Sequence, residues 1–429
     1  MKPIITSIAP GLRCVAIAAD RFKTSRMALQ MALPLQLNAD KQTAAGALLP
    51  FLLHRSCARY PTLRALESQL ANLYGAKLSA SVQKFGEVQL LSIALTAIDD
   101  RFALADEKIA EGCAGLLLDL LFEPVLDETG LFPEASIALE KRLLIERLES
   151  EEGNKRQHAS NRLEALMCSQ EAYGLNPLGE REEIASLTAE EITQAWRGML
   201  ETAPMQLTMV SNAGCEGVCA TLKLRFEKQV RNPVMPVTEY IAQVGESKSV
   251  REEQQVEQAN LVIGFRAGVG EFAEKQYPLR VMVDLLGGGV YSKLFLNVRE
   301  KMSLCYMIYA GFHSYKGVMT VHAGIDSEKF EQARDAILEM LRQVQAGEFT
   351  EEDLATSQRS LCDSYSTMND LPESLAGWYR SCLITGECVT PEDACARVNA
   401  VTRDEVIDAA KGVTLDTVYL LAPKKEGSE

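Results

Sequence analysis

Thr188 and Thr402 open the same local pattern 214 residues apart, half the length of a 429-residue chain. Ala185 to Ile192 is ASLTAEEI and Asn399 to Val406 is NAVTRDEV. Both are T-x-x-E capping boxes, in which hydroxyl and carboxylate satisfy the free N–H groups that start a helix. A short apolar strand follows each, Met205 to Ser211 and Asp416 to Ala422. A second match lies upstream: Leu73-Tyr74 pairs with Cys305-Tyr306, and hairpins turn at Phe85-Gly86 and Lys316-Gly317, with an offset of 231–232. Two matches in one order predict a tandem duplication with an insertion in one copy.

Within the first copy, alternation predicts strands over Ile4 to Ile8, Cys14 to Ala19 and Arg26 to Leu35, then helices over 43–55 and 62–74. A hairpin is expected over 78–97, and helices over 107–121 and 134–168, the last with a break near Gly153. Strands, then helices, then strands argue for α+β layers. The polar stretch around Asn232-Pro233 and Gly245-Glu-Ser-Lys-Ser reads as the join. The expected organisation is a first domain over 1–230, a linker over 231–258 and a second domain over 259–429.

Composition narrows the function. A net charge of -15 argues against a nucleic-acid surface, which needs Lys and Arg to neutralise phosphates. The eleven cysteines are scattered; Cys215 and Cys219 form the one C-x3-C pair, so small buried side chains in a reducing cytosol are expected rather than disulfides or metal. No signal peptide and no apolar run of membrane-spanning length is evident, which points to the cytoplasm. Of the four histidines, His158 lies on a polar helix face and is expected in solvent. His313 and His322 flank one hairpin, a placement expected to be structural.

Gly287-Gly288-Gly289 opens the segment GGGVYSKLFLNVREKMSLCY, ending at Tyr306. It predicts a helix stopped by glycines, a tight loop where φ > 0 and close backbone approach are allowed, an amphipathic helix and a strand. It fits neither a P-loop nor a dinucleotide fingerprint. Spacing alone gives Arg299 as a surface arginine and Tyr306 as half-buried.

This segment resembles the pitrilysin/insulinase metallopeptidases, particularly bacterial members similar to mitochondrial processing peptidase. Gly179, Ile184 and Leu187-Thr188 resemble the family's first-half segment G-x-x-x-x-I-x-x-[IL]-T. The resemblance implies two tandem LuxS/pitrilysin-like α+β domains. It makes Arg299 and Tyr306, beside Gly287, Gly288 and Gly289, the substrate-binding residues, holding an extended peptide added as a strand. The family's zinc site is an inverted H-x-x-E-H helix, two histidines as ligands and a glutamate as base. At the matching positions stand Pro50, Leu53 and His54, and the third-ligand position, seven after Glu140, is Arg147, with Glu146 one residue away. Proline offers no lone pair and leucine takes no proton.

The resemblance therefore implies an inactive subunit with no cofactor of its own. A homologous partner chain would carry the zinc, and the active site would form between zinc-bearing and Arg/Tyr-bearing halves. No nucleic acid or membrane is expected, and homodimerisation of the isolated chain stays open. Subunits of this class include those associated with 5-aminopentanol modification of elongation factor P, and others that mature small peptides. The alternatives are a non-enzymatic peptide-binding or scaffold protein, and, least favoured, a zinc peptidase with unconventional ligands.

Overall fold

Two sheets repeat one strand plan in a computed structural model that describes residues 2–242, 245–268 and 275–424. Strands β1 (Ile4–Ala9), β2 (Leu12–Ala18), β3 (Thr24–Pro34), β4 (Lys77–Phe85), β5 (Val88–Ile98) and β6 (Met205–Ser211) form the first, in the order β1-β2-β6-β3-β5-β4. The second holds β7 (Lys248–Gln254), β8 (Ala259–Arg266), β9 (Cys305–His313), β10 (Val318–Ile325) and β11 (Thr414–Pro423), in the order β7-β11-β8-β10-β9. Without β1 the two orders match strand for strand. The directions match too: β6 runs parallel to β2 and antiparallel to β3, as β11 does to β7 and β8. Both capping boxes form, Thr188 with Glu191 and Thr402 with Glu405, each opening the helix before the sheet's parallel strand. The duplication read from those boxes is present in the topology.

The compact units are not the sequence halves. One comprises Met1–Leu148, Asn176–Val237 and Thr367–Pro391; the other comprises Glu149–Leu175, Thr238–Ser366 and Glu392–Glu429. The reason is that each sheet is apolar on both faces. In β2, Leu12, Cys14 and Ala16 pack with the Gln42–Leu53 and Ile109–Phe122 helices, while Val15 and Ile17 face the other way. That second face is covered by Leu375, Ala376 and Tyr379 of the Pro372–Tyr379 helix, borrowed from the other half. In the second unit the Lys155–Met167 helix lays Ala159 and Leu163 on Val262, Tyr419 and Leu421. The expected break near Gly153 is present: one helix ends at Gly153 and Asn154 caps the next, shortly after the chain changes unit at Leu148–Glu149.

The expected linker 231–258 contains a strand. β7 pairs parallel with β11 at the sheet edge, with only Val250, Glu252 and Gln254 partly buried. Its sequence KSVREEQ carries too little apolar alternation to mark a strand, which an exposed edge permits. Residues 243–244 of that stretch lie outside the described residues.

A buried ion network fixes the borrowed helix in the second unit. Arg266, at the end of β8, donates to Glu171 at 2.6 and 3.0 Å, to Asp416 at 2.7 Å and to the Met167 carbonyl at 3.1 Å. Lys316, in the β9–β10 turn, meets the same Glu171 at 2.7 Å. All four ionic side chains are less than a tenth exposed. Burial alone would raise Glu171's pKa, but its hydrogen bonds to Arg266 and Lys316 outweigh that and hold it below the ordinary value.

Two disulfides correct the expectation of reduced cysteines throughout. Cys362–Cys395, Cα atoms 4.9 Å apart, joins the Glu351–Thr367 and Pro391–Asn399 helices across 33 residues, which include the borrowed 367–391 segment. Cys382–Cys388 lies within that segment. Neither spacing is a recognisable motif. Cys14, Cys57, Cys113, Cys168 and Cys305 are free and buried, as expected. Among the described residues no helix is long and apolar enough to cross a membrane.

Removing Glu171's charge leaves two buried cations undercompensated. Glu171→Gln is expected to lower unfolding stability by about 3–5 kcal/mol, measured by urea denaturation; an effect below about 1 kcal/mol contradicts the network's role.

Candidate functional site

Arg299 and Tyr306 share one cavity of about 380 Å³ in the second unit, lined also by Ser303, Cys305, Asp326 and Lys329. Two backbone irregularities place them there. Leu294–Lys301 is a π-helix, closed by Met302 N–H donating to the Asn297 carbonyl at 2.9 Å. Such wide turns are rare and recur at functional sites. At the start of β9 the register skips: Gly324 faces Met307 and Ile325 faces Cys305, leaving Tyr306 as the extra residue of a β-bulge. A bulge re-aims its side chain, and Tyr306 is 57% exposed.

The two side chains are prepared differently. The Arg299 guanidinium stacks 4.4 Å from the Phe295 ring centre, and its nearest carboxylate, Glu300, is 3.7 Å away, beyond a hydrogen bond. Its donors stay available. Tyr306 donates its hydroxyl proton to Asp326 at 2.8 Å, and Lys329 meets the same carboxylate at 3.2 Å. That hydrogen bond, with the Asp326 charge, raises the phenol's pKa. So arranged, Arg299 can donate to a peptide carbonyl, while the Tyr306 oxygen accepts from a peptide N–H and donates only if Asp326 is released. The Cys305 thiol is pushed up to about 11 by burial and stays protonated at neutral pH.

The glycines act by close approach, not by unusual φ: none of Gly287, Gly288 and Gly289 has positive φ. A Cβ on Gly287 would stand 2.6 Å from the Ala310 backbone nitrogen, and one on Gly288 2.2 Å from Asp284 Oδ2. They let the Gln276–Gly287 helix end directly against β9. These residues support the strand that carries Tyr306, and do not line the cavity.

The first-unit motif positions are carbon-rich. Every residue from Ala44 to Leu53 is buried, including Pro50 and Leu53. Gly179 packs on this helix: its φ is +81, and a Cβ there would fall 2.6 Å from the Ala44 Cβ. The His54 ring N–H can donate to the Phe51 carbonyl at 2.7 Å, and burial lowers its pKa. Around it stand cations: Arg55 pairs with buried Glu140, and Arg147 lies 4.2 Å over the Phe51 ring. Glu146 is exposed and pairs with Arg142 at 3.6 Å. A zinc ion needs three convergent donors; here are one histidine, a carboxylate held by an arginine, and a second arginine. These residues do not fit the metal. Among the described residues no cluster of three His, Cys, Asp or Glu side chains could hold one.

The other histidines differ from expectation in one case. His158 is half-buried and accepts from the Gln254 amide at 2.9 Å, because its helix packs on a sheet whose edge carries Gln254. His313 and His322 line a second cavity together. His322 is pushed down to about 4, by burial first and then by the neighbouring His313 charge.

Residues 186–361 match the family model of the peptidase M16 inactive domain. The probable inactive metalloprotease YmfF of Bacillus subtilis is 30% identical over 416 residues, 96% of either chain. The uncharacterized zinc protease YmxG of the same organism is 22% identical over 71% of this chain and 74% of its own. Among solved structures, a conserved protein from Enterococcus faecalis matches with a TM-score of 0.90 at 23% identity, covering all of both chains. A peptidase M16 inactive domain from Pseudomonas fluorescens gives 0.81 at 16%, covering 99% of this chain and 98% of that one.

Two titrations test these environments. In Asp326→Ala the Tyr306 pKa should fall toward the ordinary phenol value, read by NMR of labelled tyrosine; no change contradicts the pairing. His322 takes up its proton later in the folded than in the unfolded chain, so stability is full above the unfolded value of 6.5 and falls as pH drops toward 4. His322→Gln should remove on the order of 2–3 kcal/mol of that fall, seen in urea midpoints across pH 4–7; an unchanged slope contradicts it.

Proposed function

The chain belongs to the M16 peptidase family, and on that premise we propose that it is the non-catalytic subunit of a two-chain zinc peptidase. It is an inactive M16 peptidase-like protein; the partner and the shared site are the proposal. A homologous chain carrying H-x-x-E-H supplies zinc and base, and this chain supplies peptide-binding groups. The observation that carries the reading is the contrast between its two motifs. Arg299 and Tyr306 converge on one solvent-open cavity, while Pro50 and Leu53 are buried where ligand and base would stand. A probable inactive metalloprotease and an uncharacterized zinc protease similar to this chain both occur in Bacillus subtilis, which supports a pairing of the two kinds.

The ligand is an extended peptide. Arg299 donates to a substrate carbonyl and Tyr306 accepts from a backbone N–H, fixing the chain's direction and register. A guanidinium aimed at a carbonyl also stabilises negative charge developing there, if that carbonyl is the one attacked. The pair is proposed to act in the cytoplasm.

Reconstitution tests this. The chain is purified with a homologous H-x-x-E-H subunit from the same organism, and cleavage of a quenched fluorescent peptide library is followed. The expected result is cleavage by the pair and none by this chain alone. Arg299→Ala should lower kcat/KM by about tenfold or more. Tyr306→Phe should lower it about two- to tenfold, the worth of one neutral hydrogen bond. A partner that is fully active alone and indifferent to both substitutions defeats the shared site and leaves a scaffold role.

A further inference from the structure

The second cavity, about 520 Å³, lies within the second unit, away from Arg299 and Tyr306, between the Lys155–Met167 helix and the β9–β10 hairpin. Its floor is one face of that hairpin. Tyr309 pairs across the strands with His322, and Gly311 with Thr320. The Tyr309 and His322 rings stack at 4.7 Å with only 9° between their planes. Beside them the floor is open, since a Cβ on Gly311 would meet nothing nearer than Thr320 Oγ1 at 3.6 Å. Among the described residues β9 is an edge strand, paired with β10 alone.

The wall is polar and carries opposite charges at its ends. Arg156 is exposed, has no hydrogen-bond or ion-pair partner among the described residues, and lies close enough to Tyr309 to act on its phenol. Glu164 stands two turns further along the helix, on the side of His313 and Tyr173. Ser160 and Gln157 lie between or beside them. The helix dipole has the same sense, positive at the Arg156 end. Eight residues of helix separate the two charges by about 12 Å, and an extended peptide covers about 3.3–3.6 Å per residue.

Other ligands fit less well. A metal ion lacks a third donor among the described residues. A phosphate or other compact anion would face Glu164, and an apolar ligand would leave the hydroxyls, imidazoles and charges desolvated. A ligand with separated positive and negative ends and hydrogen-bonding groups between them matches every part of the lining.

We propose that this cavity binds a short free peptide of about three or four residues, its C-terminal carboxylate on Arg156 and its N-terminal ammonium on Glu164. Its amides lie over the stacked Tyr309–His322 pair and the open Gly311 position. The termini are the recognised groups, so side-chain preference is weak and internal segments of long chains are rejected. The site needs no partner chain and no step of the two-chain reading.

Four histidines make the imidazole NMR spectrum a simple probe of the cavity. Tetraalanine, its N-acetyl form and its C-terminal amide are titrated into the purified chain. The expected result is saturable shifts of the His313 and His322 rings with tetraalanine, and at least about tenfold weaker binding of either blocked form. Arg156→Ala should weaken the free acid about tenfold while leaving the amide unchanged, and Glu164→Gln should do the same for the amino end. The blocked peptides test the unaltered chain, so a variant that misfolds does not decide the matter. No shift at millimolar tetraalanine, equal binding of blocked peptides, or dependence on one terminus alone overturns the proposal. Because no cleavage is read, failure here is distinct from failure of the shared-site reading.

Discussion

Arg266 ties three segments of the second unit to one another. It ends β8, reaches β11 through Asp416, and ties down the 149–175 segment through Glu171 and the Met167 carbonyl. Lys316 brings the β9–β10 turn to the same carboxylate. Two cations and two anions are thereby neutralised with good geometry inside a low-dielectric core, where an unpaired member would be costly. The network has a positional consequence. The Arg299/Tyr306 cavity and the cavity beside His322 are both built on β9, and β9 is held between that turn and the bulge at Tyr306.

The two copies have diverged by opposite routes. In the first, the helix that would carry metal ligands is buried from Ala44 to Leu53, with a proline and a leucine at the ligand and base positions and arginines nearby. A buried carbon surface contributes packing where a half-polar metal site would not. In the second, departures from regular structure persist: a π-helix, a β-bulge and glycines with no room for a Cβ. Each costs conformational freedom or regularity, and together they aim Arg299 and Tyr306 at solvent rather than into the core.

Much of this was legible in the residues. The capping boxes at Thr188 and Thr402 announced the duplication because they are local, and local hydrogen bonds survive divergence of the surrounding sequence. The break at Gly153 was visible too, but not its meaning. Nothing in Glu149–Leu175 says that it covers the sheet built from the second half of the sequence, because the apolar stripe of a helix does not name its partner. β7 was hidden by its exposed edge. Glu171, Arg266, Lys316 and Asp416 were invisible because ion pairs among residues distant in sequence leave no periodic trace. The disulfide between Cys362 and Cys395 was missed for the same reason. Within the candidate site, sequence placed Arg299 and Tyr306 but could not supply Asp326, whose acceptance of the Tyr306 proton turns that phenol from donor to acceptor.

The central claim is that a peptide held for cleavage by a zinc-bearing partner lies against Arg299 and Tyr306 of this chain. Photo-crosslinking tests it most directly. A substrate peptide with a photoreactive residue beside the scissile bond is bound to the reconstituted pair, irradiated, and mapped by mass spectrometry. The account predicts crosslinks to the 299–306 segment of this chain as well as to the partner. Crosslinks confined to the partner would contradict it.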